Sequence, residues 1–144
     1  MLAIKPRRGL GPLLFGMGRD DVRAVIGEPI SRALEDPASE DWRYPGFSLA
    51  FDGERDWRFV SFEIWDEKAE IAGVRVFGRP FLAVLTDLGE VGLVDPEVRG
   101  SEEDGEIELY FRAHALHLWR EGSRFTSLAA GVPFDQNDVE LWPA

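Results

Sequence analysis

Residues 15–28 read Phe15-Gly16-Met17-Gly18-Arg19-Asp20-Asp21-Val22-Arg23-Ala24-Val25-Ile26-Gly27-Glu28, and this stretch decides the predicted fold. Residues 77–90 repeat its skeleton 62 positions later. Both stretches begin with Phe-Gly, end with Gly-Glu, and carry a valine and a larger aliphatic residue at matching positions between. The repetition indicates that one structural unit is used twice in the chain.

The first stretch predicts a short helix. With Gly18 as the N-cap, the carboxylates of Asp20 and Asp21 fall in the first turn, where they favour the positive end of the helix dipole. Gly27 provides a C-terminal stop, and Pro29 prevents the helix from continuing.

The second stretch predicts a helix by the same reasoning, with Pro80 in the first turn and Gly89 at the end. A helix of about nine residues does not persist alone in water, so each must pack against another surface. We expect this surface to be a sheet formed by the residues that follow each helix.

Three segments of alternating apolar and polar residues follow each helix, and each segment predicts a strand. After the first helix they are residues 42–44, 47–52 and 57–65, and after the second they are residues 107–112, 115–119 and 124–130. The acidic, proline-containing segments 28–41 and 91–105 are predicted to be loops.

The predicted fold class is therefore α+β. We expect an antiparallel sheet from two pseudo-repeats, each ordered helix-strand-strand-strand, with short helices packed on one face. A chain of 144 residues has the usual length of one domain. We predict a single domain over residues 1–144, with pseudo-repeats at about 13–65 and about 76–130 and a C-terminal tail at 132–144.

The composition indicates a globular chain and constrains its partners. Hydrophobic residues make up 44% and charged residues 30%, a balance that is not typical of disorder. The net charge of -11 repels phosphate backbones, so we expect no nucleic acid and favour a basic protein as partner. The chain has no cysteine, which excludes disulfides and thiolate sites.

The location of the protein is predicted from the absence of apolar runs. No run approaches the eighteen or so apolar residues that cross a bilayer, so no membrane partner is expected. The N-terminal segment is interrupted by glycine and proline and is short for a signal-peptide core. We therefore predict a cytoplasmic protein.

The predicted strand at 57–65 has two different faces. Apolar residues on one side are typical of a core, whereas the other side mixes Trp57, Phe59 and Trp65 with serine and Glu63. Such mixtures are enriched at protein interfaces. The candidate partner-binding residues are Tyr44, Trp57, Phe59, Glu63, Trp65, Tyr110, Arg112, His117 and Trp119.

A family resemblance is carried by Gly16-Met17-Gly18-Arg19-Asp20-Asp21-Val22, by Ile26-Gly27-Glu28-Pro29 and by Trp42-Arg43-Tyr44 with the strands after it. With these residues, segment 13–65 resembles the module of the SmpA/OmlA outer-membrane lipoproteins, which the beta-lactamase inhibitory proteins carry in tandem. Segment 76–130 is a weaker second copy.

The resemblance implies a curved antiparallel sheet with both copies side by side, helices on the convex side and a concave face that binds another protein. The chain departs from these families because it has neither the lipid-bearing cysteine of the lipoproteins nor the disulfides of the inhibitors. It is also similar to cytoplasmic immunity proteins that neutralise a toxin.

No catalytic residue, metal ligand or cofactor is predicted. His114 and His117 are three residues apart on a predicted strand, so they should point to opposite faces. The serines lack a Gly-x-Ser-x-Gly elbow. No motif pairs the carboxylates for acid and base catalysis, and solvated loops explain them better.

The leading interpretation is a non-enzymatic protein-binding module, such as an inhibitor or a toxin-immunity protein, that uses an aromatic and acidic sheet face. The alternative is a small-ligand carrier in which the same aromatic residues line a pocket between helices and sheet. An enzyme would need carboxylates or His117 to converge in a cleft, and pairing through edge strands would give a homodimer. The sequence leaves these alternatives open.

Overall fold

The computed structural model of the chain describes residues 2–143, with Asp36 described by its backbone alone. Strands account for 45% of the chain and helical segments for 19%. The described residues form one five-stranded sheet, one eight-stranded sheet and two α-helices. The predicted α+β class of two helix-strand-strand-strand pseudo-repeats with helices packed on one face is therefore wrong. The protein is mostly β, and four strands of the larger sheet follow each helix.

The larger sheet is antiparallel throughout. In chain order its strands are β4 (Ser31–Asp36), β5 (Ser39–Tyr44), β6 (Phe47–Asp52), β7 (Arg58–Ile64), β10 (Glu97–Ser101), β11 (Glu106–Phe111), β12 (Leu116–Glu121) and β13 (Arg124–Gly131). Their order across the sheet is β10-β11-β12-β13-β7-β6-β5-β4. Two four-stranded meanders therefore meet where β13 pairs with β7.

The smaller sheet brings the N-terminal segment onto the connection between the two meanders. Its strands are β1 (Ala3–Lys5), β2 (Gly9–Leu10), β3 (Leu13–Leu14), β8 (Glu70–Ile71) and β9 (Val74–Arg75). Strand β1 pairs with β8 in parallel, and the other pairs are antiparallel. Periodicity did not predict this sheet because four of its strands contain two residues each.

The first helix, α1 (Arg19–Ile26), has the N-terminus that its sequence predicts. Gly18 is the N-cap, and the amide of Gly18 donates to Asp21 Oδ2 at 3.1 Å. The second helix, α2 (Phe81–Glu90), is capped by Pro80 and continues past Gly89. The prediction that Gly89 ends this helix is therefore wrong.

The Phe-Gly pair before each helix requires glycine for conformational reasons. Gly16 has φ +100° and Gly78 has φ +79°, values that residues with a Cβ rarely adopt. The amide of Gly16 donates to Phe59 O at 2.9 Å, which ties the entry of α1 to the larger sheet. The amide of Phe81 donates to Ser123 O at 2.8 Å and ties α2 to the turn between β12 and β13.

A bulge in β7 decides which aromatic side chains enter the core. Ala50 of β6 pairs with Ser61, whereas the next residue, Phe51, pairs with Phe59, so Val60 is the extra residue. An extra residue breaks the alternation of faces along a strand. Phe59 is consequently 0% exposed, and the prediction that it lies on the exposed face is wrong.

The two outermost strands of the larger sheet lie in segments that are predicted to be loops. Strand β4 falls within 28–41 and strand β10 within 91–105, and β10 is exposed along its whole length. Pairing with β5 and β11 holds these strands in the sheet. Their sequences show no apolar alternation because neither has a buried face.

One continuous core lies between the larger sheet, the helices and the smaller sheet. Among the described residues, no polar or charged residue is buried. Aromatic rings dominate the centre, where Phe15 packs on Phe59 at 5.1 Å and Trp42 on Phe51 at 4.7 Å between ring centroids. Across residues 2–143, no helix is long and apolar enough to cross a bilayer.

Candidate functional site

The surface of interest is the face of the larger sheet that points away from the core, which we call the open face. Its register aligns one residue from every strand in a single row across the sheet. The row consists of Glu97, Tyr110, His117, Ala129, Glu63, Ser48, Arg43 and Ser31. The small residues Ala129 and Ser48 flank Glu63 near the centre of this row, and the aromatic rings of Tyr110 and His117 lie to one side.

A second row of the open face is built from small residues. It consists of Gly131, Ser61, Ala50, Asp41 and Ala33. Small side chains leave the sheet surface low where this row meets Ala129 and Ser48 of the first row. Gly131, Ser61, Ala50, Ala129 and Ser48 form the floor of a groove.

The groove has a volume of about 980 Å³. One wall carries Tyr110, His117 and Trp119 from β11 and β12, and the opposite side carries Asp41 and Glu63. The segment 132–138, which follows β13, forms a third wall. A deep central hollow of this kind is typical of binding surfaces.

The aromatic wall is a stack of three rings, which we call the aromatic ladder. The ring centroids of Tyr110 and His117 are 4.4 Å apart at an interplanar angle of 22°, and those of His117 and Trp119 are 5.5 Å apart at 7°. The guanidinium of Arg99 lies 4.7 Å from the centroid of Tyr110. Stacking and cation–π contact hold the ladder in one orientation.

Hydrogen bonds fix the base of the ladder. His117 Nδ1 lies 3.2 Å from Glu108 Oε2, and because a carboxylate accepts, the proton of this hydrogen bond is on Nδ1. Arg99 also donates to Glu108 at 3.2 Å. At the sheet edge, the hydrogen bond from Arg112 holds the pKa of Glu97 below its usual range. Arginines of the chain thus neutralise the carboxylates near Tyr110.

The carboxylates on the other side of the groove lack such partners. Among the ion pairs of the described residues, none includes Asp41 or Glu63. Burial raises the pKa of Asp41 from 3.8 to about 6, and a hydrogen bond with Glu35 adds to this effect. The charges of Glu35 and Glu63 act in the same direction, whereas Arg43 opposes them. This side of the groove is therefore a negative region that Arg43 offsets only in part.

A second, smaller hollow continues from the groove toward the edge at β4. It has a volume of about 310 Å³ and shares Asp41, Ser48 and Glu63 with the groove. Trp65 lines it, with the guanidinium of Arg43 at 5.4 Å from the ring centroid. The open face is thus one recessed surface and extends from the aromatic ladder to β4.

The C-terminal segment is held in place at the end of β7. The amide of Val132 donates to Val60 O at 2.8 Å, and Leu141 donates to Pro133 O at 2.8 Å. Arg55 forms an ion pair with Glu140 and donates to Asp52 Oδ2 at 2.5 Å. Beyond it, Trp142 packs against Gly16. These contacts position the third wall of the groove.

Six of the nine predicted contact residues line the recessed surface of the open face. They are Glu63, Trp65, Tyr110, Arg112, His117 and Trp119. Tyr110, His117 and Trp119 owe their placement to alternation in β11 and β12, whereas Trp65 and Arg112 follow the ends of β7 and β11. The role of these six residues in binding a partner stays a prediction.

The predicted surface positions of Tyr44 and Phe59 are wrong, and the half-buried Trp57 does not line the groove. Tyr44 is 6% exposed and its hydroxyl donates to Gly27 O at 2.8 Å, while burial raises its pKa. Trp57 precedes β7 and packs against the core, with Arg19 4.7 Å from its ring centroid. Phe59 enters the core because of the bulge.

Sequence reasoning missed the floor and the third wall of the groove. Ala50, Ser61 and Ala129 carry no chemical signal of their own, and their importance depends on pairing between distant strands. Asp41 is missed because its segment is predicted to be a loop. Alternation of small residues along β6 and β13 is the one signal that was present.

The described residues contain no group of three or more His, Asp or Glu side chains placed to hold a metal ion. His114 lies in the helical turn Arg112–His114 and not on a strand, and burial lowers its pKa, with Arg7 acting in the same direction.

No protein-family model matches the sequence, and no curated protein matches it at a significant level. A solved structure with a similar course of chain is an extracellular protein containing a SCP domain from Bacillus anthracis, at 12% identity and a TM-score of 0.47. The similarity covers 79% of this chain and 42% of that protein. A likeness of this degree supports no statement about function.

Proposed function

We propose that the chain is a non-enzymatic protein-binding module and that the groove on the open face is its binding surface. The observation that carries this proposal is that the two faces of the larger sheet differ in composition and exposure. One face seals a core, whereas the other combines a low floor with aromatic and carboxylate walls. Aromatic anchors around a recess are typical of residues that dominate binding energy at interfaces.

The charge of the molecule supports a basic partner. The net charge is -11, and Asp41, Glu63, Asp135 and Asp138 all line the groove. Charges of this sign accelerate the approach of a positively charged protein more than they raise its final affinity. An inhibitor or a cytoplasmic toxin-immunity protein is the most specific form of this proposal, in keeping with the resemblance of residues 13–65 to the SmpA/OmlA module.

A small-ligand carrier is the second candidate, because a hollow of about 980 Å³ lies in the range of ligand pockets. The hollow, however, lies on the open face and not between helices and sheet, where the carrier hypothesis expects it. An extended recess that continues into a second hollow suits a protein loop better than a small molecule.

The test is a titration of a purified partner against a floor-filling variant. Proteins captured by the wild type from bacterial lysate are identified, purified and titrated against wild type, Ala129→Phe and Ala24→Phe. Ala24 is exposed on α1 and serves as a matched control. We expect Ala129→Phe to weaken binding by at least about tenfold because the new ring fills the groove, and Ala24→Phe to leave it unchanged.

Two results would contradict the proposal. Equal affinity of the wild type and Ala129→Phe, at equal thermal stability, would exclude the groove as the binding surface. Co-purification of a small organic molecule that Ala129→Phe releases, without any protein that binds the groove, would favour the carrier.

A further inference from the structure

The tryptophans of this chain share a recurrent contact. Four of the five tryptophans have an arginine of the chain over the ring, with the guanidinium carbon between 4.7 and 5.5 Å from the centroid. The pairs are Arg19 with Trp57, Arg23 and Arg32 with Trp42, Arg43 with Trp65, and Arg58 with Trp142. Such contacts stabilise the ring and the guanidinium that covers it.

Trp119 is the exception within residues 2–143. Its ring stacks on His117, and none of the cation–π contacts of the described chain includes it. Trp119 is half-buried and lines the groove. The tryptophan that faces the proposed binding surface is thus the one that no arginine of the chain covers.

Glu63 occupies the complementary position across the floor. Trp119 lies two residues along β12 from His117 and pairs with Ser127. Ala129, the row partner of Glu63, pairs with His117, so Glu63 and His117 lie two strand spacings apart, roughly 10 Å between Cα atoms. The methyl group of Ala129 lies between them. Glu63 has no basic partner among the described residues, and Asp41 beside it adds to the negative region.

We infer that the groove binds an exposed loop of a basic protein, and that one arginine of this loop lies beside Ala129, on the diagonal between Trp119 and Glu63. This inference rests on the proposed function and names the chemistry of the partner. A guanidinium is planar, stacks on an aromatic face and donates to a carboxylate in a fork. The ammonium of lysine has the charge but cannot stack in the same way, so arginine is the better occupant.

The test uses the peptide acetyl-Gly-Ser-Arg-Ser-Gly-amide and two analogues in which citrulline or lysine replaces arginine. Each peptide is titrated into the full chain while the indole N–H signal of Trp119 is followed by NMR. We expect saturable binding of the arginine peptide, at least fivefold weaker binding of the lysine peptide, and no saturation with the uncharged citrulline peptide.

Variants locate the peptide on the surface. Trp119→Leu and Glu63→Gln should each weaken binding of the arginine peptide at least fivefold, as followed by the amide signals of Ser61 and Ala129. Trp57→Leu and Glu103→Gln are the matched controls, because Trp57 lies outside the groove with Arg19 over its ring and Glu103 lies in the exposed turn Glu102–Asp104. Both controls should bind the peptide like the wild type.

Several results would overturn the inference. The first two are equal binding of the arginine and citrulline peptides, and wild-type binding by both Trp119→Leu and Glu63→Gln. The third is an affinity for guanidinium chloride equal to that for the arginine peptide. The fourth is self-association of the wild type that Trp119→Leu abolishes. The last two would assign the site to a small cation or to a second copy.

The outcome is separable from that of the proposed function. A purified partner that Ala129→Phe blocks, but that binds Trp119→Leu and Glu63→Gln normally, would overturn the arginine assignment and leave the protein-binding function standing.

Discussion

Phe59 and Phe62 lie on the same side of β7, with ring centroids 6.3 Å apart, although they are three residues apart in a strand. Regular alternation would place them on opposite faces. The bulge at Val60 removes this conflict, since it adds one residue to β7 opposite β6. As a result β7 contributes two phenylalanines to the core and still presents Ser61 and Glu63 to the open face.

Truncation of Phe59 tests this assignment. Phe59 is 0% exposed, so Phe59→Ala should lower the free energy of unfolding by about 3–5 kcal/mol. Trp65, predicted on the same face by alternation, is 38% exposed, and Trp65→Ala should cost less than about 1 kcal/mol. Urea denaturation of both variants gives the comparison. Equal losses would contradict the position of the bulge.

The parts of the fold that the sequence predicts are those with a buried and an exposed side. The strands β6, β11 and β12 alternate because the larger sheet has its core on one face, and the helix stretches carry caps and glycines that local physics explains. The edge strands β4 and β10 lack this signal. Backbone pairing holds them, and pairing leaves no periodic trace in the sequence.

The aromatic wall of the candidate site was predictable, but its floor and its third wall were not. Tyr110, His117 and Trp119 are distinctive residues at alternating or paired positions, so they stand out in the sequence. Ala129 and Ser61 matter because β13 pairs with β7, which joins residues far apart in the chain. Local pattern contains no information about that pairing.

The two Phe-Gly glycines give a matched pair of substitutions. Gly78→Ala introduces a Cβ that meets no atom within 4 Å, so its cost comes from φ +79° alone, about 1–2 kcal/mol. Gly16→Ala has φ +100° and also brings a Cβ to 3.2 Å from Trp142 Cε3. It should therefore destabilise the protein more than Gly78→Ala does. Thermal unfolding measures both, and a larger loss for Gly78→Ala would contradict the packing of Trp142.

Asp41 should make stability depend on pH. Its pKa is about 6 in the folded protein against 3.8 for an ordinary aspartate, because of burial and the hydrogen bond with Glu35. Between these values the folded protein holds a proton that the unfolded chain has released. The free energy of unfolding contributed by Asp41 therefore falls as pH rises from about 4 to about 6, and the lower value persists above pH 6.

Asp41→Asn should remove this dependence and stabilise the protein above pH 6. The full shift corresponds to at most about 3 kcal/mol, and partial exposure to water reduces the expected gain to about 1 kcal/mol. Glu35, Glu63 and Arg43 face the same group, so the measurement needs a control that leaves them unchanged. Urea denaturation at pH 4.5, 5.5 and 7 gives the free energy of unfolding at each pH. Asp20→Asn on α1 should show the same change of this free energy with pH as the wild type. If Asp41→Asn showed the same pH dependence of unfolding free energy as the wild type, Asp41 would not be its source.

The third wall of the groove depends on Arg55. This residue joins Asp52 of β6 to Glu140 of the C-terminal segment, so Arg55→Ala should loosen residues 133–142 without unfolding the larger sheet. Amide exchange of Asp135 and Leu141, which donate to Val139 O and Pro133 O, should become roughly fivefold faster, while amides of β12 keep their wild-type rates. Arg79→Ala, which breaks the pair with Asp87 on α2, is the matched control and should leave the segment unchanged. If Arg55→Ala also leaves both exchange rates unchanged, the segment is held by Trp142 and the strand-like pairing of Phe134 with Glu140, and not by the ion pair.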